Sequence, residues 1–509
     1  MNNTASNNKR IAKNTLFMYM RMFLVMVVSL FTVRVLLRTL GVEDYGVYNA
    51  VGGVVTSITF ISGVLAAASQ RFFSYYQGKN DDVNLRKSFA IIFLTYLIVV
   101  SIFVLIAETI GLWFVFNKMT FPAGSEHSVM WVYQMAIATL VCSLLTNPFQ
   151  ALIISHEDMN LYASVSIIEV LLKLGIVYLL TVLPFDKLSL YAVLHFFVFL
   201  CIGLTYVAIS RKRYPESHFT LFWDKKMFKE VFSYSSWSLF GSITGMCNTQ
   251  GINILLNVFY GPIANAAYSI SAQVCAAVNQ FGNSFFTAVR PALIKSYAGE
   301  QYEFMHKLFM LSSKILFFLM FIVILPLFVE TNRILGLWLG NVENYMVEFT
   351  RLSMIYTMLL CLSNPITSIV QAANRVKIYH LVVDSFTLTC LPIAYLLFKL
   401  DFSPVYAYVV IICVFSFAHF LRLRILHSIT SISIMQYISK FIIPVLVTVF
   451  VSALAAKYTM IVEMDNMLLT AGINCMIGVL IATVAGALIV FTRSERLMAI
   501  NMIKEKIKK

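Results

Sequence analysis

The informative side chains in this sequence are charged groups placed where charge is costly. Arg21, Lys173 and Lys314 fall inside long apolar runs, and Arg290 stands at the end of one. A cation near the middle of a lipid-spanning helix costs roughly 2.5–3.5 kcal/mol on insertion scales, so it needs a polar cavity, a partner or a route to the interface. Together the four suit an anionic headgroup: Arg offers planar paired donors that match phosphate oxygens, and Lys offers a point charge. Each also has a plainer reading. Arg290 fits an ordinary anchor at an inner helix end. Lys314 and Arg21 fit snorkelling along their own helices, as do Arg34 and Arg38 at the opposite end of the first run.

Glu169 and Lys173 form an i, i+4 pair in the favourable order. Self-neutralisation explains it, and so does a Lys173 turned to substrate or a Glu169 that takes a coupling proton or sodium ion. Asp384 lies one turn from His380, which makes a second candidate for H+ or Na+ coupling; a polar residue hydrogen-bonded near the interface is the alternative. Amides recur at Asn248, Gln250, Asn253 and Asn257, then at Gln273, Asn279, Gln280 and Asn283. They could line a path for sugar hydroxyls, and helix–helix hydrogen bonding explains them equally well. No nucleotide-binding loop, H-E-x-x-H or zinc spacing is present, so no metal and no cofactor are expected. The eight cysteines all fall in apolar stretches without a C-x-x-C pair and read as small buried hydrophobes.

The elements that position these groups are set by solvent. Of 509 residues, 60% are hydrophobic and 12% charged, and mean hydropathy is +0.82. A soluble domain carries about 25% charged residues. The expectation is an all-α polytopic membrane protein with about fourteen transmembrane helices, each of roughly 20 apolar residues. The first two apolar segments run near 15–37 and 47–69, the seventh and eighth near 231–258 and 262–289, and the last two near 438–456 and 467–491. The first is read as an uncleaved helix, because no A-x-A site follows its basic start. With the N-terminus inside, 27 Lys and Arg fall on the cytoplasmic side and eight on the other. That asymmetry predicts both termini in the cytoplasm of a bacterial inner membrane, and accounts for the net charge of +14 without nucleic acid.

An internal repeat is visible at an offset of 217: Asn147-Pro148 matches Asn364-Pro365, Tyr162 matches Tyr379, and Tyr178-Leu179-Leu180 matches Tyr395-Leu396-Leu397. RFFSYYQG at 71–78 pairs similarly with RPALIKSYAG at 290–299. A repeat in the same direction predicts two six-helix lobes around a central cavity, plus two C-terminal helices. The organisation expected is a lobe over 1–209, a basic and aromatic amphipathic linker over 210–230, a second lobe over 231–427, and two added helices with a basic tail over 428–509. The linker mixes Phe219, Phe222, Trp223 and Phe228 with Lys and Arg, as a segment lying on an anionic leaflet would.

RTLGVEDYGVYNAVGG at 38–53 and QRFFSYYQGKNDD at 70–82 resemble the polysaccharide-export branch of the multidrug/oligosaccharidyl-lipid/polysaccharide exporter superfamily, the Wzx-type O-antigen and capsule flippases. The resemblance implies a non-enzymatic transporter that carries undecaprenyl-diphosphate-linked oligosaccharide between leaflets by alternating access. It also implies that the last two helices are additions to a twelve-helix core, with a lipid-tail groove as the analogous role. On that reading Arg21, Lys173, Arg290 and Lys314 are the candidate headgroup ligands. The expected partners are the lipid-linked oligosaccharide, membrane lipid and glycan polymerase or ligase machinery. A cation-coupled multidrug antiporter of the same superfamily is the alternative. A membrane glycan polymerase or ligase is the alternative of another class, disfavoured because the outer loops are short.

Overall fold

The computed structural model describes residues 2–56, 59–118, 126–218, 222–339, 342–430, 432–460 and 464–497. The side chains of Arg34 and Arg38 and the linker residue Phe219 lie outside the described residues. The described backbone is helical apart from short connections, without a strand. Its helices are α1 (Asn2–Thr56), α2 (Thr59–Gly78), α3 (Asp82–Asn117), α4 (Glu126–Ser155), α5 (Met159–Val182) and α6 (Lys187–Arg213). Then follow α7 (Lys225–Ala298), α8 (Tyr302–Val329), α9 (Thr331–Leu339), α10 (Met346–Ala372), α11 (Val376–Lys399), α12 (Tyr406–Thr430), α13 (Ile434–Thr459) and α14 (Met467–Val490). Ten of these are long and apolar enough, among the described residues, to cross a membrane. The remaining apolar stretches fall on α1, α2 and the two arms of α7.

One boundary differs from expectation, and the other falls where it was expected. Residues 38–46, expected as a turn between the first two spans, are helical, and α1 runs to Thr56. No proline interrupts that stretch, and glycines alone do not stop a helix. In α7 the break between spans falls at Gly261, where φ is 75° and ψ −166°. A side chain there would be strained, so glycine fixes the position of the break.

The chain divides into two compact units, Ala12–Leu239 and Phe240–Lys509, the latter with Met1–Ile11. The offset seen in the sequence has a backbone counterpart. α2 ends in a left-handed residue at Asn80 (φ 53°) and α7 at Glu300 (φ 57°); α4 ends so at Glu157 (φ 63°) and α10 at Asn374 (φ 57°). Each is closed by an amide reaching five residues back: Asp81 to Tyr76, Gln301 to Ser296, Asp158 to Ile153 and Arg375 to Val370, at 2.9–3.2 Å. This bond satisfies carbonyls that the helix end leaves open.

In the first unit the linker is clasped to α4. His156 and Glu216 meet at 2.5 Å, the His156 ring stacks on Tyr214 at 4.2 Å, and Tyr214 and Arg213 both reach Asp158. Burial pushes the Glu216 carboxyl up, but its bond to His156 brings it below the usual range. Beyond the clasp Trp223 is exposed and packs on Phe228. In the second unit, Phe349 sits against Tyr268 and Tyr408 in a core built by α7, α10, α11 and α12. Of the cysteines, Cys361 and Cys390 are buried, whereas Cys201, Cys247 and Cys413 are exposed, so the expected burial holds only in part.

Candidate functional site

In the first unit α1, α5 and α6 gather charge onto aromatic rings. The Arg21 guanidinium lies 4.9 Å from the Tyr162 ring, its Nε buried without a hydrogen-bond partner. Tyr206 is 6.4 Å from Tyr162. Further along α5, Lys173 donates to Glu169 at 2.6 Å and lies 4.2 Å from the Phe199 ring. His195 packs among Tyr48, Tyr191 and Phe199. The Glu169–Lys173 pair thus closes on itself, while Arg21 meets a ring face, an interaction that leaves its charge available to an anion.

Arg71 of α2, the repeat counterpart of Arg290, is 2% exposed. It lies against Phe72, Tyr75 and Tyr234, with Glu230 at 3.7 Å. Arg290 itself donates to Gln371 at 2.7 Å and is half-buried about two turns before the end of α7.

Lys314 is 3% exposed and donates to both oxygens of Glu495, at 3.0 and 2.8 Å. Burial pushes the Glu495 carboxyl up, but donation from Lys314 and Thr492 holds it below its ordinary value. His380 and Asp384 meet at 2.5 Å across a π-helical turn, with His380 Nε2 buried and unpartnered. Gly241 of α7 lies against this pair so closely that a Cβ would collide with both.

The amides of α7 separate into two sets. Asn248 reaches Thr387, Asn253 accepts from Asn265, and Asn279 joins Cys275 and Cys361, so these three tie helices together. Gln250, Asn257, Gln273, Gln280 and Asn283 are exposed, and among the described residues their side chains make no hydrogen bond. At 100° per residue, Gln273, Ala276, Gln280, Asn283, Thr287 and Arg290 share one face of the second arm, about 25 Å long. Lipid contact would leave these amides unsatisfied.

Residues 11–297, over half of the chain, match the family described as polysaccharide biosynthesis protein. The chain belongs to that family. Similar solved structures include an outward-facing multidrug resistance MATE transporter of the MOP superfamily (TM-score 0.68, 12% identity, covering 83% of this chain and 97% of that one). Others are a MATE in the straight conformation (0.67, 13%, 83% and 97%) and a MOP superfamily transporter from Pyrococcus furiosus (0.66, 13%, 83% and 96%). No curated protein matches. Family and fold together bear out the resemblance to the Wzx-type branch of the exporter superfamily and the multi-pass, all-α membrane architecture.

In this polysaccharide biosynthesis protein the sequence reading picks out Arg21, Lys173, Arg290 and Lys314, and His380 with Asp384. It passes over Tyr162, Tyr206, Phe199 and His195, which the fold places around Arg21 and Lys173. The repeat already marked Tyr162 through its match to Tyr379; the other three carry no signal of their own, because aromatics in apolar runs look like core.

Proposed function

We propose that the chain carries an undecaprenyl-diphosphate-linked oligosaccharide of O-antigen or capsule type across the bacterial inner membrane by alternating access, without covalent chemistry. The observation that carries this reading is the exposed amide face of α7 running to Arg290. Amides donate and accept, as sugar hydroxyls require, and a guanidinium at the end of the face suits the diphosphate. Membership of the polysaccharide biosynthesis family supports the substrate class, and the Lys and Arg asymmetry supports cytoplasmic termini. Arg21 and Arg290 are the headgroup ligands favoured here; Lys173 and Lys314 already face carboxylates.

His380 and Asp384 support proton coupling, since a carboxylate in contact with a histidine on a membrane-spanning helix is a candidate cation site. A sodium ion, or a role for Glu169, is the variant reading. The test is a deletion strain scored for accumulated lipid-linked intermediates and complemented with Arg290→Ala. Wild type should clear the intermediate and the variant should not, at equal protein levels. A multidrug antiporter would instead change drug resistance and leave the intermediate unaffected.

A further inference from the structure

Arg422 of α12 is 5% exposed. Its Nε donates to the Tyr379 hydroxyl at 3.0 Å, and its guanidinium carbon is 5.9 Å from the Phe415 ring. No carboxylate among the described residues pairs with it. A buried charge left uncompensated is strongly destabilising, so this guanidinium calls for an anion.

The hydrogen bonds around it point the same way. Thr367 gives its hydroxyl hydrogen to the Ser363 carbonyl at 2.9 Å and lies 3.0 Å from the Tyr379 oxygen. The Tyr379 hydrogen therefore goes to Thr367, and its oxygen accepts from Arg422. Of the five N–H donors on the guanidinium, one is used as an anchor and four remain. One turn earlier on the same helix face, His419 is 8% exposed with Nε2 buried and unpartnered. Its Nδ1 is 3.4 Å from Ser363 Oγ.

Tyr379 is the repeat counterpart of Tyr162, and each of these tyrosines holds an arginine that lacks a carboxylate among the described residues. The arginine comes from α1 in the first unit and from α12 in the second, so the two arrangements are built separately around one shared residue.

We propose that Arg422, anchored by Tyr379 and flanked by His419, is a binding site for a phosphate-bearing anion in the second unit. The phosphate comes from the diphosphate of the cargo, from a membrane lipid headgroup or from free phosphate. Only the cargo source rests on the transport function proposed above.

The full-length protein, purified in detergent, is titrated with geranylgeranyl diphosphate, with inorganic pyrophosphate and with phosphatidylglycerol. Arg422→Gln should weaken binding of at least one probe tenfold or more, Arg422→Lys should retain part of it, and Tyr379→Phe should fall between. Loss confined to geranylgeranyl diphosphate supports the cargo. Loss for phosphatidylglycerol supports a lipid headgroup, and loss for pyrophosphate as well supports free phosphate. If Arg422→Gln melts and elutes like wild type and binds all three probes equally well, the site does not exist. If that variant does not fold, Tyr379→Phe, which keeps the charge, decides, and unchanged affinity for every probe overturns the proposal. Binding is read without transport, so a deletion strain that accumulates no intermediate would remove the proposed function and leave this site standing.

Discussion

Glu495→Gln should cost more stability than Lys314→Met, although the two remove opposite ends of the same ion pair. The Lys314 side chain is 4% exposed and that of Glu495 24%. Removing the carboxylate charge leaves an ammonium deep inside the second unit, and breaking a buried pair in this way costs about 3–5 kcal/mol. Gln keeps one acceptor for Lys314, so the lower end of that range is expected. Removing Lys314 leaves Glu495 with the Thr492 amide at 2.7 Å and hydroxyl at 2.9 Å and with contact to solvent. Its cost should be about 1.5–3 kcal/mol, that of a hydrogen bond to a charged group. The double variant should be no less stable than Glu495→Gln, because it withdraws the stranded charge.

The assay is the denaturation midpoint of the purified protein. Low pH gives a second reading. The Glu495 carboxyl is depressed below its ordinary value of 4.5, so its contribution is fully present above that value and is lost as pH falls through the depressed one. The gap between wild type and Glu495→Gln should therefore close as the pH drops below 4.5. The reasoning is refuted if Lys314→Met is the more damaging change, or if the two costs add in the double variant.

Gly241→Ala in a helix would ordinarily stabilise by up to about 1 kcal/mol; here the new methyl meets His380 and Asp384, so the melting temperature should fall and transport with it. Gln280→Leu and Asn283→Leu should leave folding unchanged or improved, yet reduce clearance of the lipid-linked intermediate about tenfold or more in the complemented deletion strain; full activity would place that face in lipid. His156→Ala strands Glu216, whose side chain is 10% exposed, and should accelerate proteolysis of the segment between α6 and α7. Because the Glu216 carboxyl is depressed in the fold, its contribution is present above its ordinary value and disappears as the medium is acidified through the lowered one, so wild-type protection should also fail there.

Hydropathy made most of the helices legible, because lipid demands long apolar runs whatever their packing. It could not show that 38–46 continues a helix, since a polar patch looks alike in a turn and in a helix without proline. The His380–Asp384 contact was readable because both groups lie on one helix. The Lys314–Glu495 pair was not, as its members stand 181 residues apart and only packing joins α8 to the segment after α14. The amides of α7 show the same limit: Asn279 and Gln280 are neighbours in sequence, yet one is glue between helices and the other is open. That difference is helix rotation, which composition does not carry.

The open face of α7 has a consequence for selectivity. A carboxamide meets a hydroxyl as donor or as acceptor, so a row of them tolerates changes in sugar stereochemistry and linkage. The small Ala276 between Gln273 and Gln280 would leave room for a branch. On the function proposed above, a transporter built this way would follow a drifting surface antigen without being remade, because discrimination would fall to the charged anchor and not to the repeating glycan.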